Sequence, residues 1–174
     1  MRVSTLAIGA GLILASLPTA SNARADDDIF PHSVELLEQG AAAQKAADLN
    51  KAIDYYEAAL VADPRNRSAI IALAQVARVQ GLPGKAIGLY REALTLEPND
   101  LAALSGQGEA LAEKGALDKA KERLAEAQKI CGSDCGQLAS LERAIAAGSA
   151  KKMATAEQGS TPTGSPITPP VIQN

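Results

Sequence analysis

The feature that most constrains this chain is a phrase that occurs twice in the same register. The stretch KAIDYYEAALVADPRN, residues 51–66, comes back as KAIGLYREALTLEPND at residues 85–100. The two copies are 34 residues apart, both at their first residues, Lys51 and Lys85, and near their middle, at Tyr56 and Tyr90. A fixed period of about 20 to 50 residues is typical of repeat proteins, in which one structural unit stacks on the next. The period therefore limits the architecture before any chemistry is considered.

Each copy carries the pattern of two short helices. Ala52, Tyr56 and Ala59 are spaced i, i+4 and i+7, which places them on one face of a helix. Pro64 ends that helix, because the residue before a proline is pushed out of the α region. A stripe of leucines and alanines that starts at Leu36 predicts a preceding helix. The unit is therefore helix, turn, helix, turn.

A weaker third copy follows from Leu101 in the same register. Gly115 lies one period after Gly81, and a glycine at this place suits the left-handed end of a helix. Polar residues suited to the N-cap role keep the same spacing, and they are Asn66, Asp100 and Asp134. The chain therefore holds three units in one register.

These residues resemble the tetratricopeptide repeat family. The matching small and large residues are Leu36, Gly40, Ala52, Tyr56, Ala59 and Pro64 in the first repeat, Ile70, Leu73, Ala74, Ala86, Tyr90, Ala93 and Pro98 in the second, and Leu104, Gly108, Leu111, Ala120, Leu124 and Ala127 in the third. The family's usual tryptophan is absent, and none of the departures puts a charge into a packing position. The resemblance implies an all-α fold, a right-handed α-solenoid of three helix hairpins at about 33–66, 67–100 and 101–134, within a repeat domain that extends to residue 148.

The end of the chain is expected to divide into a cap and a tail. Residues 135–147 carry an apolar stripe of Leu138, Leu141 and Ile145, which predicts a C-terminal capping helix and brings the total to seven helices. Residues 149–174 contain four prolines and two glycines and have no periodic apolar face. This composition predicts a disordered, proline-rich tail.

Residues 1–25 have the pattern of a secretory signal peptide. An apolar run of about 12 residues follows the positive charge of Arg2, and Ala23 and Ala25 supply the small residues read at a cleavage site. A run of this length is too short to span a bilayer as a helix. We therefore predict cleavage after Ala25, a periplasmic or secreted location without stable membrane insertion, and an acidic lead-in at 26–32.

The composition argues against nucleic-acid binding and against catalysis. The chain has a formal net charge of −3, and a mildly acidic chain is a poor match for polyanions. His32 is the only histidine, and neither a nucleophile motif nor a phosphate-binding glycine loop occurs. Carboxylates such as Glu109 and Glu113 fall at helix-surface spacings and are interpreted as mainly solvated. We therefore predict a non-enzymatic protein without catalytic residues, metal or cofactor.

The two cysteines are the reactive candidates. Cys131 ends the third repeat and Cys135 begins the cap, and a chain reversal between them brings the thiols together. In an oxidising compartment this predicts a structural disulfide, whose small ring contributes about 2 kcal/mol. One alternative is a redox-active pair, because a thiol near a helix N-terminus has a lowered pKa. The other is metal ligation, which two thiolates without a histidine rarely complete.

The resemblance also implies a binding site. In the family, the first helices of successive repeats line a concave groove that holds an extended peptide or a partner helix. Carried over by position, that groove is formed by Leu37, Gln44, Lys45, Ser68, Ile71, Gln75, Arg78, Ser105 and Glu109. Gln75, Arg78 and Glu109 are the polar members expected to pair with a ligand. A clamp for a C-terminal carboxylate is not implied, because Leu37 and Ala41 stand where that subtype has Lys and Asn.

The functional prediction is a non-enzymatic adaptor or scaffold that binds another protein of the cell envelope. The ligand would be an extended peptide or an amphipathic helix. Two alternatives remain open from the sequence. One is a thiol-redox protein that acts through Cys131 and Cys135, and the other is a self-assembling structural component of the envelope. The sequence indicates neither the partner's identity nor the oligomeric state.

Overall fold

The computed structural model describes residues 28–132 and 135–158, and every regular element in these ranges is helical. The α-helices are α1 (Pro31–Lys45), α2 (Leu49–Ala62), α3 (Arg67–Val79), α4 (Pro83–Leu96), α5 (Leu101–Glu113), α6 (Leu117–Cys131) and α7 (Ala139–Gln158), and a 3-10 turn (Gly136–Leu138) precedes α7. The described part of the chain thus confirms the predicted all-α fold with seven α-helices. The predicted signal peptide lies outside the described residues.

The helices stack as three hairpins closed by a cap. Within each hairpin the two helices pack together, and the second helix also packs on the first helix of the next hairpin. The first helices α1, α3 and α5 touch one another in series, and α7 continues that row by packing on α5. Within the described ranges, the backbones of the second helices α2, α4 and α6 do not approach each other closely. The first helices therefore line the inner face of the solenoid, and the second helices form its outer face.

The repeated small residues make the close packing possible. The second-helix alanines at equivalent places in the three repeats are fully buried, namely Ala52, Ala59, Ala86, Ala93, Ala120 and Ala127. Tyr56 and Tyr90 are buried beside them with 1% of their surface exposed. The ring of Tyr56 lies where a Cβ on Gly40 would be, and the ring of Tyr90 does the same at Gly106. A glycine on a first helix thus makes room for each buried ring.

Each first helix ends in a left-handed residue at the same place in the repeat. Gly81 and Gly115 have φ values of 73° and 84°, as the sequence predicted, and Ala47 holds the equivalent place at φ 60°. The backbone N–H of Asp48 donates to the carbonyl of Ala43 at 3.0 Å, which closes the helix end. Ala47 therefore adopts a conformation that an L-residue with a Cβ disfavours.

Polar side chains begin the helices at two of the three predicted places. Asn66 accepts from the N–H of Ala69 at 3.1 Å and Asp100 from that of Ala103 at 2.9 Å, so both are N-caps as predicted. Asp134 lies outside the described residues. The amide of Asn66 also donates to the buried hydroxyl of Ser33 at 2.8 Å, which ties the first repeat to the start of the second.

Three helix ends differ from the sequence-based boundaries. Helix α1 begins at Pro31, inside the predicted lead-in, because a proline is tolerated in the first helical turn. In place of the cap helix predicted at 135–147, a 3-10 turn precedes α7, which begins at Ala139 and continues to Gln158, since SAKKMATAEQ is rich in helix-forming residues. The remainder of the predicted tail, 159–174, lies outside the described residues. No helix in the described ranges has both the length and the apolar character needed to cross a bilayer.

Candidate functional site

The inner face of α3 presents four of the residues assigned to the groove. Ser68, Ile71, Gln75 and Arg78 share one side of the helix, because they are spaced by three, four and three positions. Ser68 and Gln75 are exposed, whereas Ile71 is 9% exposed and packs in the core of the second repeat. The structure therefore combines exposed polar groups with an apolar base on this face.

The residues assigned on α1 have three different environments. Leu37 is half-buried and packs against the core of the first repeat, so it is mainly structural. The amide oxygen of Gln44 accepts a hydrogen bond from the hydroxyl of Tyr56 at 2.7 Å. Lys45, the last residue of α1, is exposed. Of these three, Lys45 is therefore the most accessible to a ligand.

Arg78 is the centre of an ion-pair network that joins the second and third repeats. Its Nε donates to Glu113 at 3.1 Å, and its terminal nitrogens donate to Glu109 and Glu113. The side chains of Arg78 and Glu109 are 20% and 12% exposed, respectively, so this pair is largely shielded from water. Shielding strengthens the attraction and makes removal of one partner costly.

The cap helix joins the same network. Ser140 of α7 donates its hydroxyl to Glu109, and Ser105, which is 7% exposed, donates to the same carboxylate oxygen at 3.4 Å. Glu109 thus receives hydrogen bonds from α3, α5 and α7. The assigned residues Arg78, Ser105 and Glu109 are brought together, but they bind one another.

The local electrostatics hold Arg78 in its charged form. Burial alone lowers the pKa of Arg78, but its hydrogen bond to Glu113 and the charges of Glu109 and Glu113 outweigh that effect and raise the pKa above its ordinary value. Burial also raises the pKa of Tyr90, and the nearby Arg78 opposes this rise. The cluster carries one cation and two carboxylates, and both tyrosine and arginine keep their protons at neutral pH.

Sequence reasoning missed the partners that complete this network. The spacing of Glu113 predicts a solvated surface residue, and no pattern in the sequence points to Ser140. One sequence signal could have identified Glu109 and Glu113 as partners of Arg78. They follow Arg78 by 31 and 35 positions, which is close to the repeat period of 34 residues. Residues at these offsets lie on the facing side of the next first helix.

The two cysteines form a disulfide at the end of the solenoid. Cys131 and Cys135 have Cα atoms 5.8 Å apart, and their sulfur atoms are bonded. Both are half-buried and pack against Leu104, Ala127 and Leu138. The bond therefore ties the end of α6 to the start of the cap. Within the described ranges, no group of three or more His, Cys, Asp or Glu side chains is placed to hold a metal ion.

Comparison with known proteins identifies the repeat. A family model described as tetratricopeptide repeat matches residues 37–100 and again residues 71–134. No curated protein matches the sequence.

Solved structures share the fold at low sequence identity. The Sgt2 TPR domain from Aspergillus fumigatus is 24% identical, with a TM-score of 0.63 over 81% of this chain and 91% of that domain. The Arabidopsis OM64 TPR domain is 18% identical, with a TM-score of 0.61 over 69% of this chain and 96% of that domain. The first TPR of Spaghetti (RPAP3), solved bound to an HSP90 peptide, is 22% identical, with a TM-score of 0.59 over 66% of this chain and 96% of that domain. At these identities the likeness shows the fold alone.

Proposed function

Because the chain belongs to the tetratricopeptide repeat family, whose domains generally mediate protein–protein interaction, we propose that it is a non-enzymatic adaptor that binds a segment of another protein on its inner face. The observation that supports this most is the inner side of α3. There Ser68 and Gln75 stay exposed beside the apolar Ile71, while Arg78 is held in internal ion pairs. Because these positions lie on one packed helix, a ligand would meet a preformed backbone surface, which lowers the ordering cost of binding.

The chemistry of this face favours a neutral or donor-rich ligand. The network around Arg78 has one cation against Glu109 and Glu113, so the inner face carries excess negative charge there. Leu37 and Ala41 also lack the groups that a carboxylate clamp uses. The HSP90 peptide bound by Spaghetti therefore suggests the binding mode of an extended segment, but not the same ligand. An extended strand or an amphipathic helix of an envelope protein fits these features.

The experiment tests the exposed part of the inner face. The double variant Ser68→Arg and Gln75→Arg adds two bulky charges to this face and leaves Arg78 and Glu109 in place. The matched control, Asn50→Arg and Ala125→Arg, adds the same charges to exposed sites on the outer helices α2 and α6. Quantitative affinity purification from the source cells should show at least one partner reduced about tenfold by the first variant and unchanged by the control. Equal recovery with both variants contradicts the proposal.

The proposed location is the periplasm or the exterior of the cell. It depends on the pattern of residues 1–25. Fractionation together with the mass of the purified chain tests it directly. A mature chain that begins at Asp26 supports export, whereas an intact chain in the cytoplasm contradicts it.

We propose a structural role for the disulfide between Cys131 and Cys135. Its packing against the buried Leu104 and Leu138 supports this, because the bond fastens the cap onto the last repeat. Titration against glutathione tests the proposal. A pair that stays oxidised in millimolar glutathione agrees with it, and ready exchange favours the redox alternative.

A further inference from the structure

A groove on the outer face of the solenoid differs from the inner face in both place and charge. It lies between α4 and α6, with α5 beneath it, and has a volume of about 890 Å³. Its apolar lining includes Ile87 and Leu94 from α4 and Leu111 from α5. A volume of this size suits a short ligand segment, and the apolar lining supplies burial.

The rim of this groove is strongly basic. Arg91, Lys114, Lys119 and Arg123 line it together with a single acid, Glu122, which leaves an excess of three positive charges. The chain as a whole has a net charge of −3, so the excess does not follow from composition. A cleft lined by one sign of charge concentrates its field and attracts ligands of the opposite sign.

Within the part of the chain that the structure describes, three of these four cations form no ion pair. Arg123 forms an ion pair with Glu126 at 2.8 Å. Among the described residues, no ion pair is formed by Arg91, Lys114 or Lys119. Gln107, which is 6% exposed, also lines the groove and donates its amide to the carbonyl of Ile87 at 3.3 Å. The groove thus combines unpaired cations with a fixed polar group in its wall.

The repeat itself supplies an internal control for the charge. The positions one period earlier, between α2 and α4, carry Glu57 for Arg91, Gln80 for Lys114, Lys85 for Lys119, Gly88 for Glu122 and Leu89 for Arg123. That set has no net charge, and Leu73 replaces the buried Gln107. Because the same helix packing forms at both places, the fold does not require the cations of the second groove.

We propose that the groove between α4 and α6 is a second docking site, which takes an acidic segment with interspersed apolar residues from a partner protein. Carboxylates of the segment would pair with Arg91, Lys114 and Lys119, and its apolar side chains would lie on Ile87, Leu94 and Leu111. Charge complementarity of this kind mainly sets specificity and the rate of association. The site is separate from the inner face, so the two could be occupied together.

A selection followed by binding measurements tests the proposal. A random 12-residue peptide library displayed on phage is selected against the purified chain at low salt. The selected peptides are expected to be rich in Asp and Glu and to contain large apolar residues as well. Synthetic labelled copies then give dissociation constants by fluorescence anisotropy, and the affinity should fall as salt screens the charges.

Two matched charge reversals make the test specific. Lys119 and Lys85 are both exposed, and each is the third residue of its helix. Lys119→Glu should weaken binding about tenfold, whereas Lys85→Glu should change it less than about twofold. Lys119→Gln should give a smaller loss in the same direction, which guards against an effect of the reversal on folding.

Three results would overturn the inference. The first is a set of selected peptides without enrichment in acids. The second is equal loss of affinity in Lys119→Glu and Lys85→Glu, which indicates a non-specific charge effect. The third is binding that is lost in the variant with Ser68→Arg and Gln75→Arg but kept in Lys119→Glu, which places the peptides on the inner face. Sedimentation with anionic vesicles tests a lipid ligand separately. If the vesicles bind in a way that depends on Lys119 and the library yields no acidic peptides, the groove binds lipid and the inference is wrong.

Discussion

The first and second repeats each bury a tyrosine at the same position, but the residue beside that tyrosine is neutral in the first repeat and charged in the second. In the first, the buried Tyr56 donates to the amide of Gln44, a neutral bond inside one hairpin. In the second, the equivalent place of Gln44 is taken by Arg78, which lies beside the buried Tyr90 and binds carboxylates of the next hairpin. In the first repeat, Gln44 accepts the hydrogen bond of the tyrosine within the same hairpin. In the second repeat, Arg78 at the equivalent position forms ion pairs with the next hairpin.

The difference shows that this place in the repeat is not dictated by the fold. A glutamine and an arginine both fit at the end of a first helix, because the side chain leaves the core there. What changes is the reach of the interaction, from within α1 and α2 to a network across α3, α5 and α7. The second and third repeats are therefore joined by an ion-pair network that the equivalent place in the first repeat does not form.

The largest expected effect on stability comes from removing Arg78, the charged counterpart of Gln44. Arg78→Ala leaves the shielded carboxylate of Glu109 and the more exposed carboxylate of Glu113 without their cation, which should lower the free energy of unfolding by about 2–3 kcal/mol, mainly through Glu109. Gln44→Ala removes one neutral hydrogen bond and should cost about 1 kcal/mol. Urea denaturation of both variants measures the contrast. Equal losses would mean that the network adds nothing beyond a local bond.

The next effect concerns the space beneath the buried tyrosine of the first repeat. A Cβ at Gly40 overlaps the ring of Tyr56, whereas a Cβ at Gly88 meets nothing within 4 Å. Gly40→Ala should therefore destabilise the chain by about 1–3 kcal/mol through overpacking. Gly88→Ala should stabilise it by about 0.5–1 kcal/mol through helix propensity. The midpoint of thermal unfolding reports both signs, and two stabilising results would contradict the packing assigned to Gly40.

The smallest effect compares the left-handed ends of α1 and α3. Ala47 holds a φ of 60° where the second repeat has Gly81 at 73°. Ala47→Gly should relieve this disfavoured conformation and stabilise by up to about 1 kcal/mol, and Gly81→Ala should destabilise by a similar amount. Chemical denaturation at one fixed temperature measures the pair. Effects of the same sign on the two variants would be inconsistent with the helix ends described.

The parts of the fold that recur with the repeat period could be predicted from the sequence. The helix pairs, the buried alanines and the caps at Asn66 and Asp100 depend on local spacing and on contacts within one period. The network around Arg78 could not be predicted in the same way, because its partners belong to the next repeat and to the cap. The family resemblance implies that Arg78 and Glu109 bind a ligand, whereas the structure shows them bound to each other.

The outer groove illustrates the same limit. The sequence shows Arg91, Lys114 and Lys119 as separate surface cations on three segments. Their gathering around one cavity follows from how α4, α5 and α6 pack, which no local pattern contains. The end of α7 differs for another reason, because alanine and lysine after residue 148 continue a helix although they carry no apolar stripe.

The sequence by itself determined the class of this protein, because a fixed period combined with helical spacing of the apolar residues and a proline or glycine at the helix ends predicts stacked helix hairpins. The tertiary structure decided which charged groups form internal ion pairs and which remain accessible to a ligand. The reason is geometric: periodicity sets the face of a helix on which a side chain lies, but only the packing of one repeat on the next sets the distance between two side chains.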